Sequence, residues 1–196
     1  MTVIIRIDIP TWLERIGVRL ALFYRRLRFG YAFRKIPLTQ GKFAIVDPDD
    51  YPRLAKYKWH ATKGRFTYYA QRKVWDPKHK KEITVRMHRE ILNVPESLLV
   101  DHINHNGLDN RKANLRPAEH WQNVCNSPKS RRTKSRSKYK GVAWHKAKAK
   151  WHARIRVKGQ TISLGYFEDD SVAAAAYDEA ARKHHGRFAV LNFANE

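Results

Sequence analysis

The sequence predicts an α+β protein made of two small bodies, and three observations carry that expectation. Short β-prone runs interrupted by turn residues occupy the first half. A strictly alternating stretch followed by an alanine-rich helical stretch occupies the end. Between them, residues 127–138 (Ser-Pro-Lys-Ser-Arg-Arg-Thr-Lys-Ser-Arg-Ser-Lys) offer nothing from which a core is built, so they read as a basic linker. The expected organisation is an N-terminal segment over 1–35, a first body over 36–126, the linker over 127–138 and a second body over 139–196.

In the N-terminal segment, Pro10-Thr11 precedes Trp12, Leu13, Ile16, Leu20, Phe23, Tyr24 and Leu27 at helical spacing. Arg15, Arg19, Arg25, Arg26 and Arg28 are interspersed. This predicts an amphipathic helix packed by its apolar face against the rest of the chain; the alternative is a helix that touches DNA or a membrane surface. From Ile36 to Arg89 the signals are strands and turns. Lys42-Phe43-Ala44-Ile45-Val46 lies between the turn sequences Thr39-Gln40-Gly41 and Asp47-Pro48-Asp49-Asp50. Arg65–Ala70 and Ile83–Met87 read as strands around an Asp76-Pro77 turn, and Met87–Asn93 as a short helix stopped before Pro95.

In the second body Trp151, Ala153, Ile155 and Val157 alternate with His152, Arg154, Arg156 and Lys158. Lys158-Gly159-Gln160 makes a hairpin turn; Ile162 and Leu164 then face one way, Thr161 and Ser163 the other. Asp169, Asp170 or Ser171 caps a helix over Val172–His185 that stops at Gly186. Ala173 to Ala176 let this helix approach a sheet closely. The expectation is a three-stranded antiparallel sheet with one helix on its apolar face and Arg and His on the other.

Forty Lys and Arg against eighteen Asp and Glu leave a net charge of +22, far beyond what solubility needs. That excess implies a polyanionic partner, with nucleic acid ahead of an anionic membrane surface or an acidic protein. The ten Lys or Arg of Ser127–Lys150 occur without one acidic residue, and Arg131, Arg132, Lys134, Arg136, Lys138, Lys146 and Lys150 among them are candidate phosphate contacts. The one cysteine, Cys125, excludes an internal disulfide and Cys-based zinc, and fits a reducing cytoplasm. No apolar run reaches the ~18 residues of a membrane span, and the N-terminus lacks the order of a signal peptide.

The chemistry concentrates in Val100-Asp101-His102-Ile103-Asn104-His105-Asn106-Gly107-Leu108-Asp109-Asn110-Arg111-Lys112-Ala113-Asn114-Leu115-Arg116 and onward to Asn123. Leu98-Leu99-Val100 forms a short strand that delivers Asp101 and His102; Asn106-Gly107 turns; Asn114–Pro117 leads into a helix over Ala118–Cys125. Hydrolysis of a phosphodiester needs a deprotonated water and a cation against the developing negative charge. An imidazole with pKa of ~6.5 is a suitable base, and a carboxylate with an amide oxygen makes a hard-oxygen metal site. Neighbours on a strand point to opposite sides, so Asp101 can face a metal while His102 faces the water. Zinc on His102, His105 and His120 is disfavoured, because the third ligand is distant in sequence.

These residues resemble the HNH nucleases, particularly the phage and intron-encoded homing enzymes, over roughly residues 36–126. The resemblance rests on Asp101-His102, Asn114-Leu115-Arg116 and Asn123. It implies a ββα-metal (His-Me) finger in which Asp101 and Asn123 hold Mg2+ or Mn2+ and His102 is the general base. It makes Asn114 the residue that braces the loop and orients the base. Asn123 stands where the eponymous pattern has its final His, and His88 matches an upstream motif read as packing or phosphate contact.

Ser137–Phe193 resembles the plant APETALA/ethylene-response-factor DNA-binding domain. The landmarks are Tyr139-Lys140-Gly141-Val142, Trp151, Ala153, Ile155-Arg156, Leu164-Gly165-Tyr166-Phe167, Ala175-Ala176-Tyr177-Asp178 and Leu191-Asn192-Phe193. It implies that the sheet enters the major groove with Lys140, Lys148, Arg154, Arg156 and Ser163 toward DNA. Arg154, Ala143 and Ser163 depart from common plant residues, so the plant target does not transfer. The expected function is therefore metal-dependent DNA cleavage of the homing type, in the cytoplasm at the nucleoid of a bacterial or phage-infected cell, without an obligate protein partner. The alternatives are a non-catalytic DNA-binding regulator and an RNA-binding structural protein.

Overall fold

The computed structural model describes residues 11–129 and 136–193. Arg131, Arg132 and Lys134 of the expected linker lie outside the described residues. The architecture is mixed α and β, with four small antiparallel sheets among the described residues.

The first described element is α1 (Thr11–Phe29), none of whose nineteen residues is buried. Leu27 is 71% exposed and Leu20 64%, which overturns the expectation of a helix packed on the body. Periodicity describes a helix's own stripe and is silent on whether a partner surface meets it. The helix is held instead at its end, where the Arg25 guanidinium donates to the Phe33 carbonyl and lies 4.7 Å from the Phe33 ring.

β1 (Arg34–Pro37) and β2 (Phe43–Val46) form a hairpin through Gln40 and Gly41, both at positive φ. α2 (Tyr51–Leu54) follows the Asp-Pro-Asp-Asp turn. β3 (His60–Lys63), β4 (Tyr68–Asp76) and β5 (Lys81–Arg86) make a meander, and α3 (Met87–Leu92) ends on Asn93 in the left-handed region. The sequence does not announce β1, α2 and β3. Each is only four residues long, too short for a periodicity to emerge. One core unites these pieces: Ile36, Ala44, Val46, Leu54, Trp59, Ala70, Met87, Ile91 and Leu115. The Trp59 indole nitrogen donates to the Leu54 carbonyl at 2.8 Å, so burying this large ring strands no polar atom.

β6 (Leu99–His102) pairs with β7 (Leu115–Ala118), Asp101 facing Arg116 and His102 facing Leu115. Residues 115–118 are thus a strand, a correction to the expected lead-in, and the helix is shorter than expected. It is α4 (His120–Cys125), opened by a reciprocal Glu119/Gln122 capping box. The long loop between β6 and β7 is pinned to β2 by Ile45 N donating to Leu108 O at 2.8 Å and Asn110 N donating to Ile45 O at 2.7 Å.

The last part follows the alternation closely. β8 (Val142–His145), β9 (Lys150–Val157) and β10 (Gln160–Phe167) are ordered β10-β9-β8, and α5 (Asp170–His185) crosses one face. Asp169 caps α5 by accepting from the Ser171 and Val172 amides. Ala153, Ala173 and Ala174 bring helix and sheet together, with Ile155, Tyr177 and Ala181 continuing the core. Gly141 is at φ +78, and a Cβ there would run into the Tyr177 ring, so glycine alone fits. A bulge between Ser163 and Gly165 leaves Ile162 39% exposed while Leu164 reaches the core.

The two bodies touch. Phe188, beyond α5, is buried with Ala118 and Cys125 of the first body. The Lys140 ammonium donates to the carbonyls of Cys125 and Ser127 at 2.6 and 2.8 Å. The expected place of Lys140 on the DNA face is therefore corrected. It caps the carbonyl end of α4, where burial pulls its pKa down to about 8. Lys129 is also engaged, donating to the carbonyls of Ser137 and Tyr139.

Candidate active site

A cleft of about 490 Å3 is lined by Asp101, His102, His105, Asn123 and Asn126 from the β6–β7–α4 unit. Thr67, Tyr69, Arg86 and His88 come from the meander and α3, and Lys63 and Arg65 stand exposed at its edge. Asp101, His102 and Asn123, grouped by the sequence, do line one cavity.

Asp101 and His102 are 4% and 6% exposed, and strand alternation sends them to different surroundings. On one side, Oδ2 of Asp101 accepts from Arg116 Nε at 2.7 Å and from Asn126 Nδ2 at 3.0 Å, while Oδ1 accepts from Asn126 Nδ2 at 2.8 Å. A carboxylate has about four lone-pair positions. The Asn126 amide also donates to the His102 carbonyl at 3.0 Å, so its two hydrogens are shared among three acceptors, and among the described residues Oδ1 has no other donor and keeps an open lone pair. On the other side, the His102 ring packs against His88 with ring centres 5.1 Å apart and against Tyr69 at 5.9 Å. Its Nε2 lies 3.5 Å from the Asn110 amide oxygen.

These surroundings set the protonation of the imidazoles. Burial lowers the His102 pKa, against smaller raising effects from the Asn110 contact, Asp101 and Asp109. His88 is brought down to about 3 by burial, then by His102, Arg86 and Arg89. Both rings are therefore neutral near pH 7, so His102 holds an open lone pair for a proton. His88 resolves as packing, one of the two readings its sequence allows. His105, also in the cleft, is lowered by burial as well.

Asn114 does not reach His102. Its Oδ1 accepts from the Asn104 amide at 2.9 Å and its Nδ2 donates to the Asp109 carbonyl at 2.8 Å. It braces the loop, and the contact with His102 expected of it is made by Asn110 instead, because the loop folds back. Asn110, Asn126 and Tyr69 are not singled out by the sequence. Asn and Tyr are common in loops and strands, and only the fold turns these three toward Asp101 and His102. Tyr69 is also packed tightly against the loop, since a Cβ at Gly107 would meet the Tyr68 carbonyl at 2.5 Å and the Tyr69 ring at 2.7 Å.

For a metal, the described residues hold no group of three His, Cys, Asp or Glu. The hard-oxygen donors named by the sequence, the open position of Asp101 Oδ1 and the Asn123 amide, both line the cleft. A small divalent cation that keeps several waters is served by such a sparse set, whereas zinc is not. The donor chemistry fits Mg2+ or Mn2+.

The outer face of the second sheet carries Arg154 paired with Ser163, Arg156 paired with Thr161, and His152 paired with Tyr166. His152 stacks on Tyr166 at 4.6 Å and contacts Ser163 Oγ at 2.9 Å; the Lys148 ammonium lies 3.8 Å from the Tyr166 ring centre. Arg136, Lys138, Lys146, Lys148, Arg154, Arg156 and Ser163 are exposed. Lys150 is half-buried, its ammonium 2.7 Å from Glu168.

No family model matches the chain. It is 30% identical over 159 residues to an uncharacterised HNH endonuclease of Acanthamoeba polyphaga mimivirus, an alignment spanning 78% of this chain and 76% of the viral protein. A stretch of 60 residues is 43% identical to an AP2/ERF and B3 domain-containing transcription repressor of Arabidopsis thaliana, covering 31% of this chain and 16% of the plant protein. Another 59-residue match, at 49% identity, is to an ethylene-responsive transcription factor of the same plant and spans 29% of this chain and 14% of that protein.

Proposed function

The chain belongs to the HNH endonuclease family, and from that premise we propose that it is a divalent-metal-dependent endonuclease hydrolysing phosphodiester bonds in double-stranded DNA. The observation that carries the proposal is the convergence on one cleft of a neutral His102, an Asp101 oxygen with an open lone pair, and the Asn123 amide. β6, β7 and α4 form the ββα-metal finger in this reading. Residues 36–126 make the nuclease domain and residues 139–196 an ethylene-response-factor-like reader of DNA.

His102 takes the proton from the attacking water. Its lone pair is available because burial disfavours the imidazolium, and Tyr69, His88 and Asn110 fix the ring. Asp101 and Asn123 hold Mg2+ or Mn2+, which supplies positive charge against the negative charge that grows on the phosphate and the leaving oxygen. Lys63, Arg65 and Arg86 at the cleft hold the DNA backbone, and the exposed basic face around Arg154 and Arg156 chooses the site. A homing-type role accords with this division between cutting and reading.

Incubating supercoiled plasmid with and without Mg2+ tests the proposal. Nicked or linear product should form only with the metal, and His102→Ala should abolish it. Equal cleavage by wild type and His102→Ala would reject the mechanism.

A further inference from the structure

The second body does not merely hang beside the cleft; two of its residues, Arg187 and Phe188, restrain the guanidinium that holds Asp101. Arg116 is 8% exposed and has three contacts. Its Nε donates to Asp101 Oδ2, its Nη1 donates to the Arg187 carbonyl, and its guanidinium carbon lies 3.9 Å from the Phe188 ring centre. Two of the three therefore belong to the segment just after α5, which also seals Ala118 and Cys125 through Phe188.

We propose that Arg116 is a positioning residue through which the seated C-terminal body keeps Asp101 competent to bind metal. This rests on the metal-site reading given above. A guanidinium paired with a carboxylate prefers the two-bond fork, which takes a lone pair from each oxygen. Here Arg116 donates to the carboxylate through Nε, while the Arg187 carbonyl on Nη1 and the Phe188 ring against the guanidinium fix the orientation of its plane and so hold Nη2, the second arm of the fork, away from Oδ1. Oδ2 is occupied and Oδ1 keeps its open position. Once Phe188 lets go, Arg116 turns to the fork, covers Oδ1 and competes with the cation. Docking of the DNA reader and readiness of the cutting site are then linked by a single side chain.

The test is direct Mn2+ binding, without DNA, followed by the electron paramagnetic resonance signal of the free ion. Phe188→Leu keeps an apolar side chain of similar size against Ala118 and Cys125 but removes the ring, and its thermal unfolding should stay close to wild type. Partners one shell out from a metal typically change its affinity by about 10–100-fold, so Phe188→Leu should weaken Mn2+ binding by about 10-fold. In an Arg116→Gln background, where no fork can form, adding Phe188→Leu should change nothing further. Unchanged Mn2+ affinity in Phe188→Leu, or an equal loss in both backgrounds, would overturn the coupling while leaving the metal site standing. Asp101→Ala separates the two ideas, because Mn2+ affinity unaltered by that substitution would overturn the metal site itself and the coupling with it.

Discussion

At the scale of single residues, the buried imidazoles make the sharpest demands. His102 has its pKa lowered by burial, so it remains a base at pH values where an ordinary histidine, near ~6.5, is already protonated. The acid limb of a pH–rate profile for cleavage should accordingly fall below ~6.5, and a limb at or above that value would show a solvated base. His102→Ala should lower the cleavage rate by about 10²–10⁴-fold while DNA affinity in gel-shift titrations stays near wild type. The same burial shapes stability. His88, with its pKa near 3, stays neutral when folded but protonates when unfolded below ~6.5. The unfolded state then binds more protons, and stability falls with falling pH between those two values, at most by about 1.4 kcal/mol per pH unit for this group. Denaturant midpoints between about pH 7 and pH 4 measure this, and His88→Phe should flatten the dependence.

At the scale of elements, α1 and α5 share helical periodicity but differ in what meets them. None of α1 is buried, whereas α5 buries Ala173, Ala174, Tyr177 and Ala181. Leu20→Ala should therefore shift the unfolding free energy by no more than about 0.5 kcal/mol, and Met87→Ala, in the main core, should cost about 2–5 kcal/mol. Gly141→Ala should also destabilise, by roughly 1–3 kcal/mol, because it combines an unfavourable φ with a clash against Tyr177. On the sheet's outer face, Arg154→Ala should relax sequence preference without slowing cleavage of a bound optimal site, as mapped on a target library. Lys140→Gln should lower the melting temperature yet leave the salt dependence of DNA binding alone, because its ammonium faces Cys125 and Ser127. Neutralising Arg136, Lys138 and Lys146 should instead flatten the log–log salt slope by about 0.9 for each DNA phosphate that no longer meets a cation.

At the scale of the whole molecule, the question is whether the two bodies are separable. A bare tether predicts that a fragment ending near Asn126 still cuts at low salt. The packing between the bodies predicts otherwise. That fragment lacks Phe188 above Ala118 and Cys125, the Lys140 cap on α4, and two of the three holds on Arg116. Removing a buried phenyl ring alone forfeits about 1.5–3 kcal/mol of burial. The fragment should melt below the nuclease transition of the full chain and cleave poorly even with excess enzyme at low salt. Full activity in the fragment would restore the picture of independent bodies.

The grouping of Asp101, His102 and Asn123 on one cleft is legible in the linear sequence. Asp101-His102, Asn114 and Asn123 lie within twenty-three residues, on short elements whose turns and caps are written in neighbouring residues. The alternation from Trp151 to Val157 likewise identifies the C-terminal sheet and its basic face, because period two is a property of the chain itself. The decisions left to tertiary structure all concern what lies opposite. Motif position assigns the orienting contact to Asn114, but the loop, pinned to β2, presents Asn110 to His102. Motif position also assigns Lys140 to DNA, yet a carbonyl end from another body meets it first. α1 has the stripe of a packed helix and no surface among the described residues to receive it. Arg116 and Phe188 stand seventy-two residues apart, and no local pattern relates them. Propensity and periodicity are local and survive in the chain alone; burial, pKa and the partner of a buried charge are set by surfaces that only folding brings together.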